Sequence, residues 1–284
     1  MISVIILTYN EERNIARCLN SIKDLSNDII IIDSYSTDST LKICEEYGCR
    51  IYQHPFENHA KQFNWALDNV EINNNWIIRL DCDEIIPDKL KKEIKDILNG
   101  SPGYDAYYLN RRMYWMNKWL RHGRMYPHYI TRLFRKGKAR YEEKTEEHLV
   151  VNGKTSYLKN DFLEDNRINT LNYLTKKHLV LAEREILDTS MLTINHSDMI
   201  PKLFGPKPNR TRWLKLNIYT KTPLFVRGLF YFIYRYFFCL GFLDGKEGLI
   251  FHVLQGFWYR FYVDARIFEN KIKWQKKEID YSGI

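Results

Sequence analysis

The first strand-like run, Ser3-Val4-Ile5-Ile6-Leu7, is not followed by a glycine-rich phosphate loop. That absence argues against a dinucleotide-binding Rossmann protein, a P-loop enzyme and a sugar-nucleotide pyrophosphorylase, and it leaves base and ribose recognition to side chains. The five cysteines (18, 44, 49, 82 and 239) show no Cys-x-x-Cys spacing, so no zinc module is expected, and an odd, scattered set fits reduced thiols in a cytosolic compartment. No internal repeat and no low-complexity tract is present. The N-terminus enters a strand at once, with no basic n-region or cleavage site, so no signal peptide is expected.

What is present is a folded chain of 284 residues, 45% hydrophobic and 27% charged, with 20 tyrosines. Its net charge of +8 is uneven. Residues 202–284 hold 15 Lys and Arg against 6 Asp and Glu, while the remainder holds 28 against 29. The basic, aromatic C-terminal stretch points to an anionic surface as partner, membrane or nucleic acid.

The first hundred residues alternate strand and helix. Strands are expected at Ser3–Leu7, Asp28–Ile32, Arg50–Tyr52 and Trp76–Leu80. Between them, Asn10 is expected to cap a helix carrying Ile15, Leu19 and Ile22 on one face. Ser39 is placed to cap a second, with Leu41, Cys44 and Tyr47 inward and Gly48 closing it. His59–Val70 and a helix started by Pro87 follow. This order predicts a mainly parallel sheet with helices on both faces, a nucleotide-binding architecture. Tyr104–Leu109, Tyr129–Phe134 and His148–Val151 are further strand candidates. Residues 111–140, dense in Arg, Tyr and Trp, are expected to be a long functional loop region. Leu171–Leu187 reads as a helix, and residues 197–212, with three prolines, as a linker.

Three polar loops then fall at strand ends on one edge of the expected sheet: Thr8-Tyr9-Asn10-Glu11-Glu12, Asp33-Ser34-Tyr35-Ser36-Thr37-Asp38 and Asp81-Cys82-Asp83-Glu84. Ligands of open α/β sheets bind at the carboxyl ends of strands. Carboxylates as crowded as Asp81, Asp83 and Glu84 repel unless a cation sits among them, and an Asp-x-Asp there suits a hard divalent ion carrying a nucleotide's diphosphate. A solvated acidic turn is the plainer alternative.

SVIILTYNEERNI, IIIIDSYSTDST and WIIRLDCDE, in that order and spacing, resemble the family 2 glycosyltransferases of the GT-A fold. The resemblance extends through RHGRMYPHYITRLFRKGKARYEEKTEEHLVV to Lys177-His178 and GFLDGKEG, where it is similar to the branch acting on lipopolysaccharide core or lipid-linked surface polysaccharides. It implies that residues 1–100 form the nucleotide-sugar-binding half of a GT-A domain and 101–196 the acceptor-binding half. Residues 197–284 would then be a linker and a membrane-association segment. It implies that Thr8, Tyr9 and Glu11 cradle uracil and ribose, that Asp33 accepts from the uracil N3–H, and that Lys61 lies near the nucleotide. Asp81 would contact ribose or metal, and Asp83 would ligate Mg²⁺ or Mn²⁺, with His148 as a further candidate ligand. Within Thr145-Glu146-Glu147-His148, Glu147 aligns with the family's base, and Glu146, standing where the family more often has His, is the other candidate. Arg132, with Arg124 and Arg135, is a candidate for the donor diphosphate or an anionic acceptor; a solvated basic face is the alternative. Trp115 and Trp119 fit either sugar stacking or core packing.

Leu224–Leu243 and the stretch from Lys246 to about Glu269 read as two aromatic helices joined by a turn at 241–246. Arg227 and Arg235 argue against a spanning helix, since each costs roughly 2.5–3.5 kcal/mol at the bilayer centre. A helix lying in the interface tolerates them, with Arg227, Arg235, Arg260 and Arg266 meeting anionic lipid; packing on the protein's own core is the alternative.

The expectation is an inverting, metal-dependent transferase. It would move a sugar from a nucleotide donor, UDP-linked by the resemblance, to a lipid-linked saccharide on the inner face of the cytoplasmic membrane. A polyprenyl-phosphate glycosyltransferase, which needs no hydroxyl base, is the rival enzyme. A nucleic-acid-binding module is disfavoured, because the aromatics form near-continuous apolar runs rather than alternating with Lys and Arg in a groove.

Overall fold

The computed structural model of the chain describes residues 1–100, 102–142, 149–191, 213–214, 217 and 219–280. Strands β1 (Ile2–Thr8), β2 (Asp28–Asp33), β3 (Arg50–Gln53) and β4 (Trp76–Asp81) lie parallel in the order β3-β2-β1-β4. All six residues of β2 are buried, as a strand covered on both faces requires. Helices α1 (Ile15–Ile22), α2 (Thr40–Glu46) and α3 (His59–Asn69) connect them. A two-residue strand β5 (Glu84–Ile85) then precedes α4 (Asp88–Asn99).

Alternation along the strands sorts their side chains into two cores. Val4, Ile6, Ile31, Ile78 and Leu80 pack with Ile15, Leu19 and Ile22 of α1, Cys44 of α2 and Leu90 and Ile94 of α4. Ile5, Ile30, Ile32 and Ile77 pack with Ala60, Phe63 and Ala66 of α3. The expected faces of α1 and α3 are buried, while on α2 Cys44 and Tyr47 pack as expected but Ile43 takes the place expected of half-exposed Leu41. Each fully buried Leu or Ile contributes roughly 1.5–3 kcal/mol. Two expected caps fail: Ser39 stands at the start of α2 but its side chain makes no capping bond, and Asn10 does not cap α1. Asn14, not Asn10, occupies the cap position of α1. Asn10 instead adopts a positive φ of 53° and accepts a hydrogen bond from the Thr37 N–H at 2.8 Å, tying the first loop to the second.

The expected loop over residues 111–140 is mostly sheet. Strands β6 (Ala106–Trp115), β7 (Lys118–Trp119), β8 (Tyr129–Arg135) and β9 (Ala139–Tyr141) occupy it. Then come β10 (Leu149–Val151), paired with β9, and the long β11 (Thr155–Asp165). The main sheet continues β4-β8-β6-β11-β5, with β8 antiparallel to both neighbours and β6 parallel to β11. Arg111 and Arg112 sit in a strand because β11 neutralises them: Arg111 pairs with Glu164 and Arg112 with Asp161, both at 2.7 Å. Partners some fifty residues away leave no local pattern.

Residues 1–121 and 125–168 form one compact unit, and residues 122–124 with 169–284 a second. The second contains α5 (Leu171–Met191), α6 (Val226–Ile233) and a π-helical turn at Tyr234–Phe238. After a 3₁₀ turn at Gly241–Asp244 come α7 (Gly245–Phe251), a π-helical stretch to Trp258 and α8 (Tyr259–Asp280). The expected linker over 197–212 lies outside the described residues. No single described helix is long and apolar enough to cross a membrane. Val226–Phe238 with Gly241–Ile272, bent by 72°, meets that measure only as a pair.

The expectation that the arginines face lipid fails for Arg227 and Arg235, which are buried, while Arg260 and Arg266 are half-exposed and paired. Arg227 is buried against Asp264, itself fully buried. Arg235 donates to the Gly123 carbonyl at 2.8 Å. Arg260 pairs with Glu185 at 2.7 Å among the rings of Tyr219, Tyr231 and Tyr259, and Arg266 pairs with Glu183 at 2.8 Å. Apolar side chains face outward instead: Phe230 is 60% and Phe238 77% exposed, and Phe237, Leu240, Phe242 and Leu243 are exposed around the turn.

Inside this unit His252 is fully buried, and neither ring nitrogen has a hydrogen-bond partner among the described residues. Burial, reinforced by the Arg235 charge and opposed by Asp244, lowers its pKa from 6.5 to about 4. A depressed folded pKa means stability that is present above pH 6.5 and lost as pH falls toward 4. Urea unfolding of the full chain at pH 7 and pH 4 should show wild type losing about 3 kcal/mol more than His252→Leu over that interval. Parallel losses in the two proteins would contradict this.

Candidate active site

Strand register delivers the three polar loops to one edge. Thr8 lies opposite Asp33, and Leu7 opposite Asp81, so β1, β2 and β4 end together. Because β8 runs antiparallel to both β4 and β6, strands β6 and β11 end at that edge too, at Trp115 and Asp165. The Asp165 N–H donates to the Asp83 carbonyl at 2.8 Å, fixing the end of β11 beside the acidic loop.

Asp33 is fully buried. Its carboxylate accepts from the Thr8 hydroxyl at 3.0 Å, the Ser36 N–H at 2.8 Å, the Ser36 hydroxyl and the Gln53 side-chain amide at 3.3 Å. A carboxylate offers about four acceptor positions, and all are in use. Gln53 makes the longest of the four bonds and is the partner a ligand N–H would displace. Tyr9 and Tyr35 are exposed on the adjoining loops, Tyr35 at a φ of 60°. Such a conformation is uncommon for a bulky residue and clusters at ligand sites. Tyr35 was not singled out from sequence. Glu11 is half-buried, accepts from the Asn14 side-chain amide at 2.7 Å, and its N–H donates to the Thr40 hydroxyl at 2.8 Å. Lys61 stands on the exposed side of the first turn of α3, paired with Glu57.

The acidic loop is held by two buried arginines. Arg79, inside β4, donates to Asp81 Oδ1 at 2.8 Å. Arg132 donates to Asp81 Oδ2 at 2.8 Å and also to Glu84. Arg132 owes its aim to a β-bulge: Tyr107 pairs with Leu133 and Tyr108 with Thr131, leaving Arg132 as the extra residue. Bulges re-aim side chains in this way. The Nε and Nη1 of Arg132 are buried and have no hydrogen-bond partner among the described residues. Burial, then the Asp81 charge, pushes the Glu84 carboxyl well above its ordinary value. The crowded carboxylates thus have cations among them that belong to the chain itself. An arginine in an otherwise apolar strand was the available signal for this, since arginine is almost never fully buried unless paired.

No three of His, Cys, Asp and Glu converge as a metal cage among the described residues. Half-buried Asp83 and the arginine-held Asp81 form a smaller donor set. It fits a hard cation that enters with a diphosphate, because phosphate oxygens and water then fill the remaining positions. Glu146, Glu147 and His148 lie outside the described residues. Their flanks are fixed: Tyr141 pairs with Leu149, is held by Asn64 through two 3.0 Å bonds, and carries the Arg79 guanidinium 5.5 Å from its ring centre. The other sequence candidates disperse. Arg135 sits over Trp76, Trp115 is buried, and Trp119 lies between Arg112 and Arg121. Arg124 belongs to the second unit, over Tyr234.

The family profile described as Glycosyl transferase family 2 matches residues 3–166. The lipopolysaccharide core biosynthesis glycosyltransferase LpsC of Rhizobium meliloti is 24% identical over 288 residues, covering 98% of this chain and 96% of that protein. An uncharacterized glycosyltransferase of Rickettsia felis is 36% identical over 106 residues, 37% of this chain and 36% of that one. The chain therefore spans little more than a third of that relative's length. Among solved structures, Staphylococcus aureus TarS 1–349 aligns with a TM-score of 0.46 at 16% identity, covering 95% of this chain and 91% of that one. Glucosyl-3-phosphoglycerate synthase from Mycobacterium tuberculosis, in complex with Mn²⁺ and UDP-glucose, aligns with a TM-score of 0.34 at 23% identity, over 39% and 44%.

Removing Arg132 strands Glu84 in the interior. Chemical denaturation should show Arg132→Met destabilised by about 3–5 kcal/mol, with much of the loss restored in Arg132→Met/Glu84→Leu, which removes both charges. Equal instability of the single and double variants would contradict the pairing.

Proposed function

The chain belongs to glycosyl transferase family 2, and from that membership we propose that it is an inverting transferase. In this reading it moves a sugar from a UDP-linked donor to a hydroxyl of a lipid-linked saccharide in bacterial-type surface glycan synthesis. The observation that carries the reading is the register that gathers Thr8–Glu11, Asp33–Asp38 and Asp81–Glu84 at one sheet edge. The full-length similarity to LpsC, named for lipopolysaccharide core biosynthesis, supports the acceptor class.

Thr8, Tyr9 and Glu11 receive uracil and ribose, and the uracil N3–H takes the place of Gln53 on Asp33. Lys61, exposed on α3, and Arg132, from its buried place behind Asp81, are the chain's cations for the diphosphate. Asp83 and Asp81 would hold Mg²⁺ or Mn²⁺, which when bound offsets the charge developing on the leaving diphosphate. Arg79 and Arg132 keep the Asp81 carboxylate oriented before substrate enters. The acceptor oxygen attacks the anomeric carbon while the bond from that carbon to the phosphate oxygen breaks. The hydroxyl proton passes to the Glu147 carboxylate, and UDP leaves. Displacement from the opposite face inverts the anomeric configuration.

The apolar turn of the second unit is the membrane contact in this reading. Its exposed Phe237, Phe238, Leu240, Phe242 and Leu243 would enter the headgroup boundary of the inner face of the cytoplasmic membrane, while the arginines stay paired within the fold. Soluble proteins rarely expose so contiguous an apolar surface without a partner.

The donor site is tested by metal-dependent hydrolysis across a panel of nucleotide sugars and by calorimetry of UDP with Mn²⁺. Asp83→Asn should lose most Mn²⁺-dependent UDP binding. Glu147→Gln should keep UDP binding and lose about 10²–10⁴-fold in kcat for transfer. Unchanged UDP affinity in Asp83→Asn removes the metal assignment. Full activity in Glu147→Gln moves the base elsewhere, and a dead Glu146→Gln would say where.

For the membrane, flotation with vesicles should succeed and persist at high salt, because apolar burial is not screened. Phe238→Asp should stay unbound at the bottom of the gradient. Loss of wild-type flotation in high salt would return the contact to surface charge.

A further inference from the structure

The α3-side core of the sheet ends at Ala106 and Phe134; beyond them the same face of β6, β8 and β11 carries exposed rings, followed by the buried polar side chains of Asn110, Thr131 and Asp161. Tyr108, Tyr129 and Tyr157 stand on it. Tyr157 stacks on Tyr108 with ring centres 5.1 Å apart and meets Tyr129 edge-on at 4.8 Å. Tyr157 is 61% and Tyr129 43% exposed. Register carries the face onward: Tyr157 lies beside Tyr108, Asp161 beside Asn110, and Asp165 beside Tyr114. Next to the rings is a polar group, in which Asp161 accepts from Asn110 at 2.8 Å, Arg112 at 2.7 Å and Tyr126 at 3.2 Å. Beyond it Trp119 lies with Arg112 4.3 Å and Arg121 4.6 Å from its ring. The row follows β6 and β11 to the edge where Asp83 and the first two loops lie.

We propose that this face of β6, β8 and β11 is a platform for the acceptor's saccharide chain, which it leads toward the reacting edge. This rests on the transferase reading for the identity of the ligand. Sugar rings present an apolar C–H face and a rim of hydroxyls. They are matched by aromatic rings interleaved with a few fixed polar groups, the composition of ligand sites generally. A lipid surface does not fit, because the exposed rings carry hydroxyls and lie beside paired charges. The phenylalanines and leucines of the second unit have neither. From Tyr108 to Tyr114 the strand rises about 20 Å, room for several sugar units.

The probe is the oligosaccharide released from lipopolysaccharide by mild acid, titrated into the full chain by calorimetry and saturation-transfer NMR, with UDP plus Mn²⁺ measured in parallel. Wild type should bind it. Tyr129→Ala/Tyr157→Ala should weaken that binding by about tenfold with UDP affinity and melting temperature unchanged. Tyr157→Trp should bind as wild type does. Equal oligosaccharide affinity in wild type and the double alanine variant overturns the platform. So does a wild type that binds UDP but no oligosaccharide, which leaves the donor site standing. A wild type that binds the oligosaccharide through these tyrosines but no nucleotide instead removes the donor assignment and keeps the platform.

Discussion

A buried knot of charge at the end of β4 is the constraint on which the catalytic half depends. Arg132 bridges Asp81 and Glu84 while Arg79 holds the other oxygen of Asp81. Desolvating such groups costs several kcal/mol each, and attraction offsets that only where geometry is good and donors are matched to acceptors. The sheet meets the condition with an irregularity. One extra residue in β8 turns Arg132 toward the acidic loop, and the two-residue β5 pairs its Glu84 with Glu164 of β11. The parallel half and the mixed half of the sheet are thus joined by side-chain charge as well as by the β4–β8 ladder. The loop is also set in place before any ligand arrives, which is the arrangement electrostatic catalysis requires.

What could be read from the sequence follows from how far each interaction reaches along the chain. The first four strands and the buried faces of α1 and α3 repeat with the period of their element, so a short window reveals them. The convergence of the three polar loops followed from that alternation alone. β6 was cut short because Arg111 and Arg112 look like loop residues until Asp161 and Glu164 are beside them. β11 was missed outright, its polar residues answering to α4 and β6: Glu93 takes the N–H groups of Lys159 and Asn160. The bulge at Arg132 has no signature in composition. The acidic loop's counter-charge was sought in a divalent ion, and two guanidinium groups from the chain already supply part of it.

The second unit inverts the simple reading of a basic, aromatic segment. Net charge located the excess of basic residues but not the direction of its arginines, which depends on single acidic residues. Asp264 draws Arg227 inward, and Glu185 draws Arg260. With Arg227 and Arg260 drawn inward, the turn around residues 237–243 is left to rings and aliphatic chains.

The tripeptide His122-Gly123-Arg124 has a consequence for how the chain comes together in time. It makes contacts far downstream: the His122 N–H and ring meet Asp244, the Gly123 N–H donates to Cys239, and the His252 ring occupies the space beside Gly123 that any side chain would need. These are separations of more than a hundred residues, the kind of contact whose loop-closure entropy makes it slow to form. During synthesis, the three residues emerge long before the segment that receives them. The strands on either side must then pair around an unsatisfied stretch until residues 239–252 have been made.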